Sequence, residues 1–250
     1  MARVDLHLHL LPGVDDGPRT LEESVEVARL AVADGTSRAM VTPHLRSDHL
    51  TDAASVPART LELAARLEDE GIPLSLVPGA ELGHDMVGRL GQADFEAVAA
   101  GPPGARWLLL ESPFDGHAWE DWRDAAEELR DRGFGVVMAH PERSPIPLAS
   151  LRAECARGSI LQVNAGSLAG GHGERARLAA LDLLGAGLAA LLASDGHSAV
   201  RPPELQQGLE ATVHAGLPAV AAELLVSGRP AGLLAHGVAS QPCYGALAAP

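Results

Sequence analysis

The chain has 250 residues, a formal net charge of −14 and 46% hydrophobic residues. This length can bury one large core, and α/β barrels commonly use about 250 residues as a single domain. All basic residues are arginine and the balance is acidic, which argues against a nucleic-acid-binding protein. No apolar run reaches the ~20 residues of a membrane helix, and no signal peptide is recognised. We therefore expect a cytoplasmic protein without membrane insertion.

Apolar runs alternate with amphipathic stretches along most of the chain, a pattern that predicts a parallel α/β fold. Seven runs predict strands at residues 4–8, 39–42, 74–78, 107–110, 135–139, 160–163 and 188–193. Helices are predicted at about 20–34, 53–70, 120–132, 147–157, 174–185 and 203–215, the first opened by a capping box and closed by a glycine. Seven strands alternating with helices favour a barrel over an open sheet. We expect one domain over residues 1–228 and a loosely packed tail over 229–250.

The first predicted strand carries a pair of histidines, His7 and His9. Alternate side chains of an extended strand point the same way, so both imidazoles can reach one metal ion. Asp15 and Asp16 follow in a loop bounded by glycines. A single histidine is more often a surface residue or a satisfied core residue. This segment alone leaves both interpretations open.

Six further ionisable residues lie where a later predicted strand ends, which is where barrel enzymes collect catalytic side chains. With the histidine pair and Asp16 they give nine candidate ligands, and Asp15 is an alternative to Asp16. One transition ion takes about four to six ligands, so nine predict a cluster of two or three ions. Imidazole mixed with carboxylate suits zinc, manganese or iron better than calcium. The nine are His7, His9, Asp16, His44, Glu81, Glu111, His140, Asp195 and His197.

Several widely spaced motifs, in order, resemble the PHP (polymerase and histidinol phosphatase) superfamily. The more specific resemblance is to the bacterial manganese-dependent protein tyrosine phosphatases of capsule and exopolysaccharide gene clusters. It spans about residues 3–203. The motifs are His7-Leu-His9, Val-Asp15-Asp16-Gly-Pro, Thr-Pro-His44, Gly-Ala-Glu81, Ala-His140-Pro-Glu-Arg143, Gln162-Val-Asn164-Ala-Gly-Ser-Leu and Ser-Asp195-Gly-His197.

The resemblance implies a distorted seven-stranded, TIM-like β/α barrel with three divalent ions, Mn²⁺ in the first instance and zinc or iron as alternatives. One ion would be held by His7, His9, Glu81 and Asp195. Glu81 would bridge to a second ion held with Glu111 and His140. The third would be held by Asp16, His44 and His197.

The resemblance also implies that Arg143 and Arg201 bind the phosphoryl group, because guanidinium groups match phosphate oxygens. The alternative is that both are ordinary surface arginines. The implied reaction is phosphomonoester hydrolysis by a hydroxide that two ions acidify. Neither cysteine is followed by the loop and arginine of a cysteine-based phosphatase.

Three functions remain open at this point. The first is a protein tyrosine phosphatase, whose partner would be a phosphotyrosine protein such as the tail of a bacterial tyrosine kinase of polysaccharide export. The second is a phosphatase of small phosphomonoesters such as histidinol phosphate, and the third is a non-catalytic regulatory PHP module. Leu45 stands where many relatives carry a second histidine, and residues 46–51 form a variant loop that could shape substrate choice. The sequence leaves homo-oligomer formation open.

Overall fold

A computed structural model of the chain describes residues 2–50 and 52–238. All seven predicted strands are present, and three further short strands, β3, β4 and β6, extend the sheets. The strands are β1 (Arg3–Leu8), β2 (Thr36–Val41), β3 (His44–Arg46), β4 (His49–Leu50), β5 (Ser75–Pro78), β6 (Glu81–Leu82), β7 (Trp107–Glu111), β8 (Gly135–Ala139), β9 (Ile160–Asn164) and β10 (Ala189–Ala193).

Helices follow most of the strands and include the six that the sequence predicts. The first helix has Thr20 as its N-cap and is followed by Gly35, whose φ of 96° suits glycine. The prediction missed α3, α6, α9 and α10. The helices are α1 (Leu21–Ala33), α2 (Val56–Asp69), α3 (Gln92–Val98), α4 (Trp119–Asp131), α5 (Leu148–Ala156), α6 (Ala165–Leu168), α7 (Gly173–Gly185), α8 (Gln206–His214), α9 (Ala219–Val226) and α10 (Gly228–His236).

The strands form two sheets, in the orders β1-β2-β5 and β10-β9-β8-β7-β6-β3-β4. Every pair is parallel except β3 with β4. The α/β class is therefore confirmed. The single seven-stranded barrel is not confirmed, because hydrogen bonding divides the strands of the described residues between two sheets.

Two tryptophans tie helices to β7 in the buried core. The indole nitrogen of Trp122 on α4 donates to the Glu111 carbonyl, 2.9 Å away, and fixes the end of that strand. The indole nitrogen of Trp107 donates to the Leu233 carbonyl on α10, 3.1 Å away. Both tryptophans are fully buried, so these donors would cost stability if they were unpaired.

The last described segment differs from the loosely packed tail expected of it. Residues 228–236 are helical, and Leu233 is buried in the cluster around Trp107. Val238 packs against Gly135, where an added Cβ would lie only 2.4 Å from the valine. Tertiary contacts therefore stabilise this helix, although its sequence has no clear helical periodicity. Residues 239–250 of the predicted tail lie outside the described part of the chain.

In the part of the chain that the structure describes, every helix is too short or too polar for a bilayer span.

Candidate metal centre

The structure brings all nine predicted ligands to one end of the strands, because the carboxyl ends of the parallel strands lie side by side; eight of them form three groups, and His140 contacts Glu81 of these groups. Eight of the nine are buried, whereas the side chain of Asp16 is 44% exposed. Two of them, His140 and Asp195, have positive φ values of 37° and 54°, an uncommon backbone state for residues other than glycine. Such strain clusters at functional sites.

The inner group consists of His7, His9, Glu81 and Asp195, all buried. The Nε2 atoms of the two histidines face each other at 3.2 Å. Glu81 Oε2 lies 3.1 and 3.3 Å from them, and Asp195 Oδ1 lies 3.5 and 3.6 Å from them. Four donor atoms thus surround one small volume, as the ligands of a single ion do.

The outer group adds Asp16, His44 and His197 to His9. Asp16 Oδ1 lies 3.2 Å from His197 Nε2 and 3.5 Å from His44 Nε2. These three residues are the predicted third set. The structure adds His9, which the inner and outer groups share.

The lateral group consists of His44, Glu81 and Glu111 and differs from the predicted second set. His44 Nδ1 is 3.0 Å from Glu81 Oε2, while the predicted member His140 contacts the other oxygen of Glu81, Oε1, at 2.8 Å. Arg46 donates to both oxygens of Glu111, at 3.0 and 3.1 Å. Glu111 is therefore shared between the site and an arginine of the variant loop.

Two amide side chains, which we call the amide relay, join two members of the inner group. Gln162 Oε1 lies 3.0 Å from His7 Nδ1, and Gln162 Nε2 donates to Asn164 Oδ1 at 2.7 Å. Asn164 Nδ2 donates to Asp195 Oδ2 at 2.8 Å. This order of donors places a hydrogen on His7 Nδ1 and leaves the lone pair of Nε2 for an ion.

Asp15 and Asp16 have different surroundings. Asp15 Oδ2 lies 2.7 Å from His9 Nδ1 and accepts the His44 backbone N–H at 3.0 Å. It sits behind His9 and orients that ring, in the way carboxylates support metal-binding histidines. Asp16 instead faces the outer group.

Mutual compensation of charge dominates the electrostatics of the buried groups. Burial opposes the charged form of Glu81, but the His7 and His44 imidazoles hold its pKa well below its usual value. Burial also opposes the charged forms of His7 and His9, yet the nearby carboxylates raise their pKa values to about 9 and about 10. Burial and the Glu81 charge raise the pKa of Glu111 to about 8 against the opposing Arg46. The buried imidazoles thus compensate the carboxylates, and divalent ions bound here would supply the same positive charge.

Several buried donor atoms of the site are unpaired, which indicates that the site can hold divalent ions. His44 Nδ1, Glu81 Oε2, His140 Nδ1 and His197 Nε2 are buried and make no hydrogen bond of acceptable geometry within the described residues. Three of them belong to the three groups above. Buried polar atoms are normally paired, so unpaired donor atoms gathered in one place are suited to be ligands of divalent cations. Imidazole and carboxylate ligands suit a transition ion.

Two predicted arginines lie at the open edge of the inner group. Arg143 donates to Asp195 Oδ2 at 2.8 Å, and Arg201 approaches the same oxygen at 3.7 Å and donates to Asp16 Oδ2 at 3.2 Å. Their side chains are 23% and 42% exposed. Two guanidinium groups therefore stand together above the carboxylates, where an anion from solution can reach them.

Residues 3–229 match the family model "Capsular polysaccharide synthesis, CpsB/CapC". The chain is 32% identical over 202 residues to the tyrosine-protein phosphatase YwqE of Bacillus subtilis, covering 78% of this chain and 77% of YwqE. It is 29% identical over 206 residues to CapC of Staphylococcus aureus, covering 80% and 79%.

Solved structures show the same fold. One comes from work on YwqE of Bacillus subtilis and CpsB of Streptococcus pneumoniae, named as metal-dependent tyrosine phosphatases. It matches with a TM-score of 0.78 and 29% identity, over 92% of this chain and 94% of that one. The phosphotriesterase homology protein of Escherichia coli shares only the fold, with a TM-score of 0.59 and 13% identity over 92% and 97% of the two chains. With the family model covering most of its length, the chain belongs to the CpsB/CapC family of capsular polysaccharide synthesis.

Proposed function

We propose that the protein is a metal-dependent phosphoric monoester hydrolase that acts on phosphotyrosine in proteins. The observation that carries the proposal is the pair Arg143 and Arg201, which stands beside three overlapping groups of imidazoles and carboxylates. Phosphate monoesters need cationic partners for their oxygens, and this site offers both guanidinium groups and places for divalent ions. The tyrosine-protein phosphatase YwqE is a relative over most of the chain.

Three divalent ions, Mn²⁺ in the first instance, would be held by the inner, outer and lateral groups. His140 would join the lateral group by replacing its present contact with Glu81. Bound ions would neutralise phosphate charge and lower the pKa of water.

The residues of the chain have separate tasks in this proposal. Arg143 and Arg201 bind the non-bridging phosphoryl oxygens and orient the phosphorus toward the buried groups. When phosphate arrives, Arg201 exchanges its contact with Asp16 for the substrate, and Asp16 turns fully to the outer group. The amide relay and Asp15 keep the His7 and His9 rings in position throughout.

We further propose that the two sheets act together as one distorted seven-stranded barrel. The chain passes from β2 into β3 across Pro43, and from β5 into β6 across Gly79 and Ala80, so two strands are each interrupted once. A parallel bridge between Leu8 and Gly196 links the end of β1 to the segment after β10. We propose a cytoplasmic location and, as partner, the phosphotyrosine tail of a tyrosine kinase of polysaccharide export.

The test compares hydrolysis of a phosphotyrosine peptide and of histidinol phosphate by the same preparation, with manganese, zinc, iron or chelator added. Metal content is measured in parallel. We expect turnover that depends on metal and favours the peptide. Arg143→Ala should reduce turnover strongly, whereas Arg152→Ala, an exposed arginine of α5, should not.

Two outcomes contradict the proposal. Preference for histidinol phosphate would identify a small-molecule phosphatase, the second function that the sequence left open. Full metal content without hydrolysis of any phosphomonoester would favour the regulatory module.

A further inference from the structure

Phe114 is a large apolar side chain left at the surface beside the metal centre. It follows β7 by three residues and is 50% exposed. The other exposed large hydrophobic residues of the described chain are aliphatic. Half of this phenyl ring is thus left free to contact a ligand at the edge of the site.

The ring is held by two residues of the site. It lies nearly parallel to the His140 imidazole, with 5.8 Å between ring centres and 17° between planes. The Cζ atom of Arg143 lies 5.0 Å from the ring centre, within the range of a cation–π contact. These contacts fix where the exposed part of Phe114 stands relative to the group that would bind phosphate.

A cavity of about 330 Å³ opens next to the ring. Its wall joins Phe114 and Glu111 to Arg46 and Ser112. The cavity therefore runs from Glu111 of the lateral group to the phenyl ring of Phe114. Its volume is in the range of small-ligand pockets, about 300–1,000 Å³.

We propose that the exposed phenyl ring of Phe114, beside Arg143 and at the mouth of this cavity, contacts the aromatic ring of the phosphotyrosine substrate. The inference rests on the proposed function and adds a residue that selects aryl over alkyl phosphates. In an aryl phosphate only the ester oxygen separates phosphorus from the ring. A phosphoryl group bound by Arg143, whose Cζ lies 5.0 Å from the Phe114 ring centre, would therefore bring its phenyl ring close to Phe114.

A contact between two aromatic rings would favour aryl over alkyl phosphates without a deep substrate pocket. Aromatic pairs contribute beyond the burial of their area, and they prefer offset or edge-to-face arrangements that a half-exposed ring permits. An alkyl phosphate such as phosphoserine has no ring to make this contact. Such a substrate would bind through the arginines and ions alone.

The test measures binding by calorimetry, so that it does not depend on turnover. The probes are benzylphosphonate and methylphosphonate, each titrated into the manganese-loaded wild-type protein and into Phe114→Ala, Phe114→Tyr and Leu61→Ala. Leu61, exposed on α2, is the matched control for loss of an exposed apolar side chain. Metal content is determined for every variant.

In the wild type, benzylphosphonate should bind more tightly than methylphosphonate. Phe114→Ala should weaken benzylphosphonate by about three- to tenfold and leave methylphosphonate unchanged. Phe114→Tyr keeps an aromatic ring and should retain the difference in affinity between the two probes. Leu61→Ala should bind both probes as the wild type does.

Equal weakening of both probes, or loss of metal, in Phe114→Ala would mean that the ring only supports His140 and Arg143, and would overturn the inference. So would equal binding of both probes by the wild type. Neither result touches the proposed function, which fails separately if the wild type with full metal does not hydrolyse the phosphotyrosine peptide.

Discussion

The inner group and the rim of the site, which comprises Asp16, Arg201 and Phe114, are built in opposite ways. Each of three inner residues has a second partner behind it: Gln162 for His7, Asp15 for His9 and Asn164 for Asp195. The rim residues are partly exposed: the side chains of Arg201 and Asp16 are 42% and 44% exposed, and Phe114 is 50% exposed. The difference separates two tasks. Rigid buried donors can hold ions before substrate arrives, and exposed side chains can exchange partners with a substrate.

The largest effect should come from Glu81, which belongs to both the inner and the lateral groups. Glu81→Ala should lower hydrolysis by more than about 100-fold and reduce the number of ions bound, because one carboxylate serves two groups. Circular dichroism should show a folded chain. Metal content and turnover are compared with Glu62→Ala, an exposed glutamate of α2.

Glu81→Gln provides a second variant, since it keeps the volume of the side chain while removing the charge. It should fold as the wild type does and still lose metal. Full metal content in both Glu81 variants, with substantial turnover, would show that the inner group does not depend on this carboxylate.

A smaller effect is expected at Gln162, which supports the inner group without entering it. Gln162→Leu leaves His7 Nδ1 without its partner, so manganese affinity should fall by about 10- to 100-fold. Gln162→Glu keeps an acceptor for His7 and should recover part of the affinity. Calorimetric titration of metal is compared with Gln92→Leu, an exposed glutamine on α3. Unchanged manganese affinity in Gln162→Leu would show that the amide relay does not support metal binding.

The sequence alone predicted the residues that meet at the strand ends, because that inference needs only strand order and parallel direction. It did not predict the tasks of Gln162 and Asn164. Both lie on β9, where a two-residue spacing places them on one face, but which face meets the site depends on the neighbouring strands. The exchange of His140 for His44 in the lateral group likewise depends on side-chain directions.

The fold was predictable where local pattern decides it and not where tertiary contacts do. The α10 helix lacks a clear sequence pattern and is held by Trp107, more than one hundred residues earlier in the chain. The division into two sheets follows interruptions at Pro43, which has no N–H to donate, and at Gly79, where a Cβ would lie 2.8 Å from Met40 Cγ. Proline and glycine were visible in the sequence, but their effect on sheet pairing was not.

The smallest of the three effects should come from the rim, at Arg201. Arg201→Ala should raise KM and lower kcat for a phosphotyrosine peptide, with kcat/KM reduced by about tenfold, because one charge-assisted contact to phosphate is lost. Metal content should stay that of the wild type, since Asp195, the one inner residue that Arg201 approaches, keeps its hydrogen bonds from Arg143 and Asn164. Arg201→Lys keeps the charge but lacks the planar guanidinium group, so its kcat/KM should lie between those of the wild type and Arg201→Ala. Loss of ions in Arg201→Ala would mean that the rim also organises the buried donors, whereas unchanged kinetics would make Arg201 an ordinary surface residue. Either result would remove the division of tasks between the inner group and the rim.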